Sequence, residues 1–176
     1  MAILQVKELK LYYKTRRGIA RAVDGLSFCL EAGSSLGLVG ESGCGKSTTV
    51  NGVIRVMPRN GYHAGGQVIF DGKELTALSK REMQEIRWKE LALIPQAAMD
   101  SLNPVYPVQS AFLEVLQTKG SLTKKQALNR AAELFGMVGL ETSRLRNFPH
   151  EFSGGMKQRA AIALALALNP KLVIAD

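Results

Sequence analysis

Apolar and polar residues alternate at the start of the chain, with Leu4 and Val6 on one side and the same two-residue period returning across Ala22 to Leu30. That period predicts strands with one buried face, and the turn-forming pairs Asp24-Gly25 and Ala32-Gly33 predict short connections. Ser35 to Val39 is a compact apolar run ending at Gly40, read as a strand, and Gly45 to Val56 reads as a helix stopped by Met57-Pro58 and Asn60-Gly61. Strand, glycine loop and helix thus follow one another directly. Gln67 to Phe70 predicts a strand entering a turn at Asp71-Gly72, Ser79 to Lys89 a charged helix, and Leu91 to Ile94 a short strand ended by Pro95. From about Ser110 to Phe148 the pattern becomes helical, and Thr123 opens a helix with Leu128, Ala132, Phe135 and Met137 on one side. An Ala/Leu-rich helix then runs from about Met156 to Leu168. After the Asn169-Pro170 break, the four apolar residues Leu172 to Ala175 fit a buried parallel strand ending at Asp176.

With 176 residues, 46% of them hydrophobic and 22% charged, the chain has an ordinary globular balance, and one α/β domain fits its length. Lys and Arg number 23 against 15 Asp and Glu, a net charge of +8 that suits nucleotides, nucleic acid or an anionic membrane face but selects none of them. The cations are spread out, with only short clusters such as Lys14, Arg16, Arg17 and Lys124, Lys125, so a solvated surface is the expectation. Cys29 and Cys44 lack metal-site spacing, and a reducing compartment is the default. The N-terminal MAILQVKELK has no signal-peptide pattern, and the longest apolar run, Ala160 to Leu168, is far below the ~20 residues that span a bilayer. Any membrane role is expected to come through a partner.

Candidate chemistry concentrates in Gly40-Glu-Ser-Gly-Cys-Gly-Lys-Ser47, which satisfies GxxxxGK(S/T) between a strand and a helix. Glycines at this spacing let main-chain N–H groups face inward, and the helix start adds its positive end, so the loop from Gly40, Glu41, Ser42, Gly43, Cys44 and Gly45 to Thr48 is read as a phosphate cradle for ATP. Lys46 would reach the β and γ phosphates, and Ser47 would offer its hydroxyl to Mg²⁺. Cys44 is read as a small residue within the loop. Asp176, at the end of an apolar strand, fits a carboxylate holding the Mg²⁺ shell, although many buried strands end in Asp.

Phe152-Ser-Gly-Gly-Met-Lys-Gln-Arg159 resembles the signature motif of the ABC ATPases. With the loop at 40 to 47, Gln96 and the strand to Asp176, the order of parts resembles an ABC nucleotide-binding domain over the whole chain. The strings around Gly40, Ser101-Leu-Asn-Pro104 and Pro149-His-Glu-Phe-Ser-Gly-Gly-Met156 are similar to those of oligopeptide and dipeptide importer subunits, and nickel-uptake and phosphonate relatives carry similar strings. The fold this implies is α/β, a RecA-like P-loop NTPase core with an N-terminal antiparallel β subdomain and a helical insertion. Its implied divisions are residues 1–100, 101–152 and 153–176.

The resemblance implies roles residue by residue. Tyr13, with Tyr12 as the off-by-one alternative, matches the aromatic that stacks on adenine; packing in an edge strand is the plain alternative. Gln96 matches the glutamine that touches Mg²⁺ or the attacking water. Ser153, Gly154 and Gly155 match the segment that meets the γ-phosphate bound by a second ATPase subunit, so a head-to-tail dimer is implied, homo- or heteromeric. Phe152 and Met156 depart from the commoner family Leu and Gln. Neither His63, in what reads as a Gly-rich loop, nor His150 occupies the switch-histidine position. The implied activity is ATP hydrolysis at the cytoplasmic face of a prokaryotic membrane, driving import of peptides or similar solutes through permease subunits, with a solute-binding protein involved indirectly. The residues that in the family follow Asp176, a glutamate, the D-loop and the switch histidine, are not in this sequence, which is read as a fragment ending at the Walker B strand whose own ATPase activity would be near background. The rival is an ABC ATPase of nucleic-acid metabolism, for which no zinc insertion, coiled-coil arm or aromatic-interleaved basic stripe speaks.

Overall fold

The computed structural model describes residues 1–96 and 102–176, so Ser101 of the string Ser101-Leu-Asn-Pro104 lies outside the described residues. The chain forms two compact units, Met1–Gln84 and Glu85–Asp176.

In the first unit, β1 (Ala2–Thr15) and β2 (Gly18–Glu31) form a long antiparallel hairpin, and β3 (Gly61–Phe70) with the short β4 (Lys73–Glu74) completes a sheet ordered β2-β1-β3-β4. Alternation along β1, shifted by one residue at the irregularity between Val6 and Leu9, buries Leu4, Val6, Leu9 and Leu11 beside Val23 of β2 and Val68 and Phe70 of β3. Helix α1 (Lys46–Val53) adds Val50 and Val53 to this core. Its Gly52 admits β1 closely, because a Cβ there would stand 2.2 Å from Leu11 Cδ1.

In the second unit, β5 (Leu91–Ile94) pairs in parallel with β6 (Leu172–Ala175), Leu91 opposite Leu172 and Ile94 opposite Ala175. Glu90 sets this register, its carbonyl accepting from the N–H groups of Lys171 and Leu172 and its carboxylate pairing with Lys171 Nζ at 3.2 Å. Helices α3 (Val108–Thr118), α4 (Lys124–Met137) and α5 (Gly154–Ala165) share a core in which Phe112 meets Phe135 edge to face at 5.5 Å and Leu134, Phe152, Ala160 and Ala163 are buried. Ala160, Ala161, Ala163 and Ala165 form the buried small-residue side of α5. At the start of α2 (Lys80–Ile86) the Ser79 hydroxyl accepts from Glu82 N–H and the Glu82 carboxylate accepts from Ser79 N–H.

Several expectations are corrected. Ser35 to Val39 forms no ladder among the described residues, and Leu36, Leu38 and Val39 are exposed; apolar composition makes a strand only where its backbone groups find a partner strand. Asp24-Gly25 is no connection but lies inside β2 at a register shift, with Gly25 at φ 88° as the extra residue of a bulge. The hairpin turns instead at Arg16-Arg17. Gly61 to Gly66, read as loop, belongs to β3, since pairing with β1 outweighs the low strand propensity of glycine. On α4 the buried side is Ala127, Ala131, Leu134 and Phe135, with Met137 exposed, because the helix core lies about one position from the face that was read.

Candidate functional site

The glycine loop from Gly40 to Gly45 leads straight into α1. Gly45, the residue before the helix, has φ 97°, and a Cβ there would stand 2.5 Å from the Ala22 carbonyl oxygen. Only glycine lets the chain pass β2 and still enter α1 in this conformation. Gly43 also has positive φ, 82°, but faces open space. Cys44 N–H donates to the Glu41 carbonyl at 3.3 Å, which curls the loop. Inside that curl sits the Lys46 ammonium, donating to the carbonyls of Gly40 and Glu41, both at 2.7 Å, with Cys44 Sγ at 3.5 Å. Thr49 is buried and satisfied, its hydroxyl donating to the Gly45 carbonyl at 2.9 Å, so the first turn of α1 is fixed from within.

A helix start with an ammonium beside it attracts anions, and residues 42 to 53 contain no Asp or Glu to oppose one. Among the described residues no group of three or more His, Cys, Asp or Glu is placed to hold a metal ion. A divalent cation here would therefore need ligands from a bound polyphosphate as well as a side chain such as Ser47.

Tyr13 and Tyr12 lie on opposite sides of β1. The Tyr13 hydroxyl is 3.2 Å from Thr48 Oγ1, one turn into α1, whereas Tyr12 donates to Asp24 at 2.6 Å and meets Tyr62 edge to face at 6.1 Å. This hydrogen bond raises the Tyr12 pKa and lowers that of Asp24. Of the two tyrosines, Tyr13 is the one joined to the glycine-loop helix. Beneath it lies Gly61, its partner across the sheet, where a Cβ would fall 2.9 Å from Tyr13 Cε1. Sequence reasoning missed Gly61 and the Thr48 contact, since no short-range signal gives the β1–β3 register.

In the second unit, Gln96 follows Pro95 just after β5, and Asp176 follows β6, with its N–H donating to the Ile94 carbonyl at 3.0 Å. Both therefore leave adjacent parallel strands at the same end, the end where ligands of parallel sheets gather. Ser153 caps α5 by accepting from Met156 N–H at 3.3 Å, and Gly154 and Gly155 form its exposed first turn. The segment before it is held by Glu151, which accepts from Phe148 N–H at 2.6 Å and Asn147 Nδ2 at 2.9 Å. Phe152 and Met156, the two departures from the commoner pattern, turn into the helical core, so their size is a packing matter away from the exposed Ser153-Gly154-Gly155 edge.

His150 stacks on Phe148 at 5.6 Å. His63 lies in β3 opposite Leu11, and its pKa is lowered, first by desolvation and then by repulsion from Arg55.

Residues 23–176, from the second strand through the glycine loop to Asp176, match the ABC transporter family. The chain belongs to that family. It is 46% identical over 177 residues to the oligopeptide transport ATP-binding protein OppD of Bacillus subtilis, covering 99% of this chain and 49% of that protein. It is 42% identical to the probable peptide ABC transporter ATP-binding protein y4tR of Sinorhizobium fredii, over 99% of this chain and 53% of that one. The chain spans about half the length of the curated relatives it matches. Its fold matches the ATP-binding cassette MJ0796, solved as a dimer in a post-hydrolysis state bound to ADP and Pi, with a TM-score of 0.85 and 27% identity over 98% of this chain and 73% of that one. The fold is thus that of an ABC cassette, with an antiparallel sheet in the first unit and a parallel strand pair in the second. No helix among the described residues is long and apolar enough to cross a membrane.

Proposed function

We propose that this chain is the nucleotide-binding part of an ATPase subunit that drives import of peptides or similar solutes through a membrane permease. The observation that carries this reading is the Lys46 ammonium held inside the loop curl on the Gly40 and Glu41 carbonyls, directly ahead of α1. A polyphosphate arriving there offers the ammonium a stronger, charge-assisted partner than two neutral carbonyls. Loop amides from Gly40 through Thr48 and the helix start would hold its oxygens, with Tyr13 under the adenine. Mg²⁺ brought with the nucleotide would neutralise charge between the β and γ phosphates. Ser47, Gln96 and Asp176 are its proposed protein-side partners.

Hydrolysis would be in-line attack of water on the γ-phosphate. Lys46 and the loop amides would stabilise the charge, and Gln96 would position the water. A second ATPase subunit would bring Ser153, Gly154 and Gly155 to the γ-phosphate from outside, which suits their exposure at the start of α5. The helical segment 101–152 is proposed to meet the permease, and with it the subunit would sit at the cytoplasmic face of the membrane. Support for the peptide-class solute is the likeness to OppD and y4tR.

Calorimetric titration of Mg-ATP into the protein tests the core of this reading. Saturable binding is expected, weakened at least tenfold in Lys46→Ala; equal binding by the two proteins overturns it. For the transport role, the full-length protein reassembled with its permease in vesicles should take up peptide only with ATP, and uptake without ATP overturns that role.

A further inference from the structure

We propose that the tip of the β1–β2 hairpin is a contact surface for anionic phospholipid headgroups, which goes beyond a membrane association made through a permease alone. Residues 9–23 carry five cations, Lys10, Lys14, Arg16, Arg17 and Arg21, and no Asp or Glu. Arg16 and Arg17 form the two-residue turn and are exposed. Arg59 joins them, because Lys14 N–H donates to the Asn60 carbonyl at 2.8 Å and Asn60 Nδ2 donates back to the Lys14 carbonyl at 3.3 Å, laying the 59–60 loop along the tip. Lys14, Arg16, Arg17 and Arg59 have no ion pair among the described residues. Four uncompensated cations at one point strongly favour an anionic partner.

Two further observations select a lipid surface among anionic partners. Ile19, paired with Lys14, is 62% exposed in the midst of these cations, and an exposed β-branched apolar side chain ringed by Lys and Arg is the composition of a surface that lies at a membrane interface. On the side of β1 that carries Tyr12 and Lys14 the aromatic rings are already engaged, Arg21 lying 5.7 Å from the Tyr12 ring and Lys14 5.7 Å from the Tyr62 ring, whereas Tyr13 on the other side is joined to α1, so no free stacking platform for single-stranded nucleic acid lies among these cations. The tip is also ordered in advance. The Thr15 hydroxyl donates to the Gly18 carbonyl at 2.8 Å and accepts from Arg17 N–H at 3.3 Å, so little ordering is left for binding to supply.

Sedimentation with vesicles of phosphatidylcholine alone or with about one third phosphatidylserine tests this. The protein is expected to sediment with the phosphatidylserine vesicles only, and less as salt rises. Arg16→Gln with Arg17→Gln should lower partitioning at least tenfold, at about fivefold per cation removed. Both positions are exposed turn residues and leave the Thr15–Gly18 bonds in place. Ile19→Ser should weaken binding at unchanged charge. Equal sedimentation with neutral vesicles, or unchanged partitioning of the double arginine variant, overturns the proposal. So does an Ile19→Ser protein that binds vesicles normally and is displaced from them by single-stranded RNA, an outcome that assigns the patch to nucleic acid.

Discussion

The Tyr13 hydroxyl lies 3.2 Å from Thr48 Oγ1, which ties an aromatic of the antiparallel sheet to the third residue of the glycine-loop helix. Gly61 supports the ring from across the sheet. If Tyr13 is the base platform, Tyr13→Ala should weaken ATP binding by about 5- to 100-fold, the range of one aromatic–base stack. Tripolyphosphate, which has no base, should bind the variant as it binds the native protein. Tyr12→Ala should leave ATP affinity within about threefold, since Tyr12 is joined to Asp24 on the other side of the strand. Competition of each ligand against a fluorescent nucleotide measures all three, and a larger loss from Tyr12→Ala would reverse the assignment.

Gly45 and Gly43 share a left-handed backbone but differ in surroundings. Alanine at 43 meets open space, so its cost is the backbone term alone, about 1–2 kcal/mol. At 45 the new methyl must also displace the Ala22 carbonyl of a paired strand, 2.5 Å away, so Gly45→Ala should cost clearly more than Gly43→Ala. Urea unfolding of the two variants decides it, and equal losses would show that the β2 contact does not constrain the loop.

The parts that were legible in the sequence are those coded locally. The glycine loop entering a helix, Thr123 as a cap and Leu91 to Ile94 as a strand all depend on residues a few positions apart. What was missed depends on register between distant segments. The β1–β3 pairing turned Gly61 to Gly66 into strand and brought His63 opposite Leu11, and the β1–β2 pairing absorbed Asp24-Gly25 as a bulge. Ser35 to Val39 shows the converse. Its composition is that of a strand, but strand formation needs a partner that composition cannot supply. The candidate site divides in the same way: Lys46 and Ser153 were readable from motifs, whereas the Thr48–Tyr13 contact emerged only with the sheet.

Helix α4 gives a test of local coding on its own. The Thr123 hydroxyl accepts from Gln126 N–H, and the Gln126 side chain accepts from Thr123 N–H at 2.9 Å, so two otherwise orphaned donors are satisfied reciprocally. Thr123→Ala should cost about 1 kcal/mol and Thr123→Ser much less. Thermal or urea unfolding of the pair would show it. Equal stability of the alanine and serine variants would mean that tertiary packing, with Ala131 and Phe135 in the core, holds this end of the helix without the cap.

His63 makes stability depend on pH. Its ordinary value of 6.5 is lowered in the fold by desolvation and then by Arg55, with Glu74 opposing both. The neutral ring is therefore the favoured folded form, and the unfolded chain binds the proton more readily. The contribution is fully present above pH 6.5 and is lost as the pH falls through that value toward the lower folded pKa. His63→Gln should flatten this part of the profile, seen as a urea midpoint that changes less between pH 7.5 and 5 than in the native protein. Glu74→Gln should do the opposite, because removing the one charge that favours the imidazolium lowers the folded pKa further. Titration of the His63 ring protons by NMR checks the premise directly. A midpoint at or above 6.5 would mean that Glu74 outweighs burial and Arg55, and the expected flattening would then have the wrong sign.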